Sequence, residues 1–298
     1  MSQHDKGSSH QLLKVIEKDP RIIFDIVKSG LKSFGIEFKD NEHFLPSQFN
    51  PIESTCEGFI QGISTDFTHF DLSSLMSWWA PVKQKPSWDF ISTCNVNGTK
   101  GILLVEAKSH YGEMEVGRKT ISVDLSKNVN LDEIRLLVKN RFNKNSLKLA
   151  LTTPELKELM SALAECSLLD DKLLKSFLDK LRHHDKIGDA VSEARGAISN
   201  FCSDIKISRD YHYQLSNRIA YTWKLASLGI PTILLYLGFT NDPAWKAKQD
   251  HFESKQQWNE ALQNYFAQVG AENLLHRGRV NLNNGSSMYF CSGSLEAE

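Results

Sequence analysis

The residues of this chain best suited to chemistry are Asp89, Glu106 and Lys108. Two carboxylates supply the hard oxygen ligands that a divalent cation such as Mg²⁺ prefers. A neighbouring ammonium adds a fixed positive charge, which a phosphodiester needs as it gains negative charge during hydrolysis. The tripeptide (D/E)xK that carries Glu106 and Lys108 is common here, occurring also at Glu37–Lys39, Glu155–Lys157, Asp170–Lys172, Asp204–Lys206 and Glu253–Lys255. Those others read as solvated surface, the usual place for such side chains. Glu106–Lys108 differs because it directly follows the apolar run Ile102-Leu-Leu-Val105. Charged residues at i and i+2 share one face of a strand, and this strand's body belongs in a core.

The surrounding elements explain how Asp89 reaches that face. Ser87–Val96 and Thr99–Lys108 read as strands joined at Asn97-Gly98. Asn-Gly between two such runs is the strongest short hairpin signal, because both turn positions need positive φ. A two-residue turn sets Val96 opposite Thr99 and, counting back along both strands, Asp89 opposite Glu106. Opposed residues have Cβ atoms about 4.5–5.5 Å apart, so two like charges there repel unless a cation lies between them. A metal held by both acids meets that need, with Lys108 one step along the same face.

Asp19-Pro20 opens a helix carrying Ile22, Ile23, Ile26, Val27, Leu31 and Phe34 at helical spacing, closed by Gly35. Asn50-Pro51-Ile-Glu53 opens another that runs through Glu57 toward Gly62, with Glu53 placed for a capping box. Residues 130–200 read as helical and charged. Tyr211–Leu228 is a helix stopped by Gly229 and Pro231. The apolar run Ile230–Leu237 that follows reads as a strand buried on both faces of a central sheet. Trp245, Trp258, Tyr265 and Phe266 suggest further helices ending in a frayed Ser294–Glu298, while Met1–His10 reads as a disordered lead-in.

Composition bounds the class. A chain of 298 residues, 41% hydrophobic and 24% charged, has enough apolar mass for one large domain or two small ones. No apolar run approaches the roughly 20 residues of a membrane span, and no apolar leader is present, so a cytoplasmic protein without membrane partners is expected. Cysteines 56, 94, 166, 202 and 291 form no CxxC pair and read as reduced thiols. The net charge of −1 excludes only a general polycation. Arg135, Lys139, Arg141, Lys144 and Lys148 read as a solvated helix face. His183-His184-Asp185 reads as surface histidines, since adjacent helical residues do not face each other.

Pro86-Ser-Trp-Asp89, then Glu106-Ala-Lys108 after 17 positions, then a helix and an apolar strand, resembles the PD-(D/E)XK nuclease superfamily. The proline is displaced from the acid by Ser87 and Trp88. The resemblance covers about 50–110 and 210–240, and the run Tyr211–Arg218 through Gly238-Phe239 also resembles uncharacterised bacterial proteins assigned to this group. It implies an α/β, restriction-endonuclease-like core in the order αβββαβ, with a mixed sheet and added helices. A single nuclease-like domain over 1–298 would carry a mostly helical insertion at about 120–207 and a C-terminal helical extension at about 240–298.

The same resemblance implies Mg²⁺, for which Mn²⁺ could substitute, and a nucleic-acid substrate, with DNA expected. Asp89 and Glu106 would chelate the metal, the backbone carbonyl of Ala107 would be a third ligand, and Glu57 would complete the shell. Lys108 would stabilise charge on the phosphate. Gln214 and Arg218, at i and i+4 of the later helix, would line the site, as would His110 and Glu113 just past Lys108. For Gln214 and Arg218 the competing reading is a plain helix-face pair, and for His110 and Glu113 a solvated loop after the strand. Two-strand cleavage by such enzymes calls for a homodimer, and the sequence marks no interface. Restriction, defence or repair is the implied setting. The rival reading is a nuclease-like fold serving as a non-catalytic nucleic-acid-binding or protein-interaction module. An all-helical regulator would leave the strand at Ile230–Leu237 without a sheet.

Overall fold

The computed structural model describes residues 7–45, 71–79, 86–114, 117–126, 130–246 and 250–298. They fall into two compact units, one of Met1–Gly117 with Ala190–Glu298 and one of Arg118–Asp189. Their strands, in chain order, are β1 (Ile36–Glu37), β2 (Phe44–Leu45), β3 (Phe90–Val96), β4 (Thr99–Lys108), β5 (Ile121–Asp124), β6 (Lys148–Leu151), β7 (Thr232–Thr240), β8 (Arg279–Asn281) and β9 (Ser287–Glu296). The larger unit holds a seven-stranded sheet in the order β1-β3-β4-β7-β9-β8, with β2 also pairing with β3. β4, β7 and β9 run parallel, and the outer pairings are antiparallel. The protein is therefore α/β with a mixed sheet and added helices.

The central strands form because both their faces are covered. Every residue of β7 is buried, as is β4 from Gly101 onward, the pattern of parallel strands packed on both sides. On one face Leu103, Val105, Ala107, Ile233, Leu235 and Leu237 pack with Leu12 and Ile16 of the helix Ser8–Lys18. Ile23, Phe24 and Val27 of the helix Arg21–Gly30 join the same cluster. The other face carries Glu106 and Lys108 toward the helix Tyr213–Ser227. There Gly238 lets the helix Lys255–Gln268 lie close, since a Cβ at that position would sit 2.3 Å from the Trp258 ring.

The β3–β4 hairpin turns at Asn97 and Gly98, with φ of 50° and 83°. Its register runs from Val96↔Thr99 to Phe90↔Val105, as the two-residue turn requires. Asp89 stands one residue ahead of β3, so the first strand begins later than Ser87. The crossover from β4 to β7 ends in the helix Tyr213–Ser227 and a left-handed Gly229 at φ 98°.

Four expectations need correction. The lead-in is helical from Ser8, because Leu12, Val15 and Ile16 give the segment an apolar stripe that docks on the sheet. The C-terminal extension is not wholly helical: β9 runs alongside β7 as far as Glu296, where fraying was expected. Its apolar part, Met288–Cys291, is too short for periodicity to separate strand from helix. In the smaller unit, β5 and β6 form an antiparallel ribbon that packs with the helices Leu131–Phe142 and Thr153–Glu165. There His184 is buried, not at the surface. Its Nε2 donates to the Lys119 carbonyl at 2.8 Å, and its Nδ1 accepts from Thr153 Oγ1 at 3.2 Å.

The helix expected at about 51–62 lies outside the described residues. No helix among the described residues is long and apolar enough to cross a membrane. Cys94, Cys202 and Cys291 are buried and Cys166 is exposed, all as free thiols.

Candidate active site

Glu106 and Lys108 end β4, and ligand sites of open α/β sheets gather at such carboxyl ends. Both are almost wholly buried, at 1% and 3% exposure. A buried carboxylate requires partners, and Glu106 has three. Its Oε1 accepts from Lys108 Nζ at 2.6 Å and from Gln214 Nε2 at 2.7 Å, and its Oε2 accepts from Arg218 Nε at 2.5 Å. Lys108 Nζ also donates to Gln214 Oε1 at 3.1 Å. Gln214 and Arg218 lie one turn apart on the helix Tyr213–Ser227, so one helix face closes over the strand's charged pair. This placement decides against the plain helix-face pair for both residues.

Arg218 is held from several sides. Its Nη2 donates to the Ser87 carbonyl at 2.8 Å, its Nη1 to Asn217 Oδ1 at 3.1 Å, and its guanidinium lies 4.4 Å from the Trp88 ring centre. The planar fork makes such multiple contacts possible where a lysine would make one.

Asp89 stands beside this cluster and keeps part of its surface in solvent. Its Oδ2 accepts from the Ala107 N–H at 2.8 Å and its Oδ1 from Ser9 Oγ at 3.1 Å. Burial, and next the charge of Glu106, push its carboxyl up to about 6, against the opposing pull of Lys108, Ala107 N–H and Arg218. Burial also opposes charge on Glu106, but Arg218 and Lys108 outweigh it and hold that carboxyl below its ordinary range. The environment thus separates two acids of similar intrinsic strength, one fixed as an anion and one titrating near neutrality.

The donor chemistry fits a hard divalent cation at Asp89. This carboxylate has solvent access, and its ionisation is opposed by a neighbouring anion, a conflict that a 2+ ion relieves. Glu106, the acid expected as the second oxygen ligand, has both oxygens already engaged, accepting from Lys108, Gln214 and Arg218. Among the described residues no group of three His, Cys, Asp or Glu side chains converges as a metal cage. Glu57, expected to complete the shell, lies outside the described residues. Ala107 contributes its N–H to Asp89, a contact its expected role as a carbonyl ligand did not include.

The other expected lining residues have separate partners. His110 Nδ1 lies 3.2 Å from Asp250 Oδ2, and its ring stacks on Trp245 at 3.7 Å. Glu113 accepts from the Ser109 N–H at 2.6 Å and from Ser8 Oγ at 2.7 Å, tying the exit of β4 to the start of the first helix. Neither bonds to the Glu106 cluster. Sequence reasoning missed Ser9, which looked like part of a tail, and Tyr236. Tyr236 pairs with Glu106 in the β4–β7 register, and its buried hydroxyl has no hydrogen-bond partner among the described residues. A tyrosine inside an otherwise apolar strand was the available signal.

Compared with protein-family models, curated proteins and solved structures, the chain matches none of them.

Proposed function

We propose that this protein is a metal-dependent phosphodiester hydrolase. More narrowly, it is a cytoplasmic DNA nuclease of the PD-(D/E)XK type that uses Mg²⁺ or Mn²⁺. The observation that carries the reading is the buried Glu106–Lys108 pair at the end of β4, clasped by Gln214 and Arg218 beside the partly buried Asp89. Supporting it, the hairpin, the helix and the parallel strand follow one another in the order that the αβββαβ core demands.

When bound, the metal supplies Lewis-acid polarisation of the phosphate and a more acidic water. Asp89 and Glu106 would hold it. Lys108 carries the charge that meets the phosphate, since its ammonium has only Glu106 and Gln214 to leave. Gln214 bridges Lys108 and Glu106 and fixes their spacing. Arg218 is a positioning residue that keeps Glu106 anionic and immobile.

The test is plasmid nicking with Mg²⁺ or Mn²⁺ by wild type, Lys108→Ala, Glu106→Ala and the exposed control Lys157→Ala. Cleavage by wild type and control alone supports the assignment. Equal cleavage by all four marks a contaminating nuclease and sinks it.

A non-catalytic binding module is the second reading. It is favoured by the engagement of both Glu106 oxygens by protein donors, with the cations Lys108 and Arg218 matching the anions Asp89 and Glu106. Under that reading Lys108→Ala lowers stability and changes nothing that depends on metal.

A further inference from the structure

A cavity of about 410 Å³ in the larger unit is lined by residues that include Tyr111, Met114, His212, Asn264, Tyr265 and Gln268; its Tyr265 meets, at 6.4 Å, the ring of Tyr236, the register partner of Glu106. Small-molecule sites span about 300–1,000 Å³, so it has room for a ring system. The two chain segments that build the catalytic cluster also build this cavity. Tyr111 lies three residues beyond Lys108, and His212 two residues before Gln214. A group bound here is therefore within a short reach of a phosphate at Lys108.

Tyr111, His212 and Tyr265 give the lining its ring faces. His212 meets Tyr265 edge-on at 5.4 Å and Tyr211 at 4.4 Å. Tyr111, which lines the cavity, and Tyr211, which touches His212, keep 41% and 39% of their surface in solvent. Asn264 and Gln268, one turn apart on the helix Lys255–Gln268, add amide donors and acceptors to these ring faces. An independent observation points to a ligand as well. His212 is 3% exposed and held at a left-handed φ of 43°, with neither ring nitrogen hydrogen-bonded. A strained non-glycine backbone with unsatisfied buried polar atoms costs stability, and such cost concentrates where ligands bind.

We propose that this cavity receives one unpaired nucleobase of the DNA strand being cut, so that the substrate is single-stranded or splayed DNA and not an intact duplex. The inference rests on the phosphodiesterase reading. Aromatic faces stack any base without sequence preference, while side-chain amides can meet its polar edge. A purely apolar occupant would leave both ring nitrogens of the buried His212 without partners.

The experiment is fluorescence anisotropy of the full chain with labelled oligo-dT and with a blunt duplex of equal length, in Ca²⁺ to hold back cleavage. The variants are Tyr111→Ala, at an exposed position, and His212→Gly, which keeps the left-handed backbone while removing the ring. Each should weaken single-strand binding about 5- to 150-fold, the loss of one stacked base, and leave duplex binding unchanged. An abasic scan of the oligonucleotide on wild type requires no variant, and one position should reproduce the loss. Unchanged single-strand affinity in both variants, equal loss on both DNAs, a flat abasic scan, or tighter wild-type binding to the duplex would each overturn the pocket. Parallel cleavage assays in Mg²⁺ separate the two ideas. Lys108-dependent cutting with unchanged binding in the pocket variants defeats the base pocket alone. Pocket-dependent binding by a wild type that never cuts defeats the hydrolase alone.

Discussion

Arg218 and Glu106, 112 positions apart in the chain, meet at 2.5 Å in a place water scarcely reaches. The contact ties the helix Tyr213–Ser227 to β4 and favours the anionic form of Glu106. Lys108 and Gln214 complete the clasp from either side.

Replacing Arg218 with Met should therefore act on the fold before it acts on chemistry. It leaves a buried carboxylate with Lys108 as its remaining cation, and breaking such pairs costs about 3–5 kcal/mol. Urea unfolding should show a lower midpoint with little change in slope. Stability equal to wild type would mean that the pair is ornamental.

Asp89 sets a pH dependence of definite sign. Its carboxyl rises from 3.8 to about 6 on folding, so the folded state favours the proton. The stability from this group is fully present below 3.8 and is lost as pH rises through about 6. Asp89→Asn should flatten the stability curve between those values. Above them it should be more stable than wild type by about 1–2 kcal/mol, a figure discounted for the group's solvent access. Parallel curves for the two proteins would show that Asp89 titrates as an ordinary carboxyl.

Metal and proton should compete at that same acid. Mg²⁺ at about a hundred times its dissociation constant stabilises by about 2.7 kcal/mol when it binds only the folded state. Thermal melts should show the shift above pH 7, a smaller one at pH 5, and none in Asp89→Asn. An identical shift in the variant would place the cation elsewhere.

Lys108→Ala distinguishes chemistry from architecture. Loss of one charge aimed at a developing oxyanion lowers turnover about 100- to 1000-fold. The variant should keep the Mg²⁺-induced melting shift while cleavage falls by that factor. A lost melting shift with a collapsed fold would identify Lys108 as structural compensation for Glu106.

Much of this site could be read from the residues, for local reasons. Asn97-Gly98 fixed a turn that few other dipeptides adopt, and the turn fixed the register that brings Asp89 toward Glu106. The i,i+4 spacing of Gln214 and Arg218 put them on one helix face, but no local rule says which strand a helix will cover. The Ser8–Lys18 helix was illegible because its apolar stripe is short and its start is a Gly-Ser-Ser stretch typical of tails. β9 was hidden for a related reason: Met288–Cys291 gains its strand character from β7 beside it. Asn284-Gly285, in the connection from β8, was the overlooked cue, and its glycine sits at φ 84°. His184 was misplaced because burial of a histidine depends on distant partners, here Lys119 and Thr153.

The separation of Glu106 from Arg218 also has a consequence in time. A ribosome adds about 5–20 residues per second, so roughly 6–22 s pass between synthesis of the acid and of the arginine that stabilises it. During that interval the nascent hairpin carries its carboxylate with Lys108 as the only nearby cation of the final pair, and neither Gln214 nor β7 yet exists to cover it. The hairpin is thus an early structure with a late keystone. Chains arrested between Lys108 and Gln214 should be cut readily by protease across β3 and β4, and chains released beyond β9 should not.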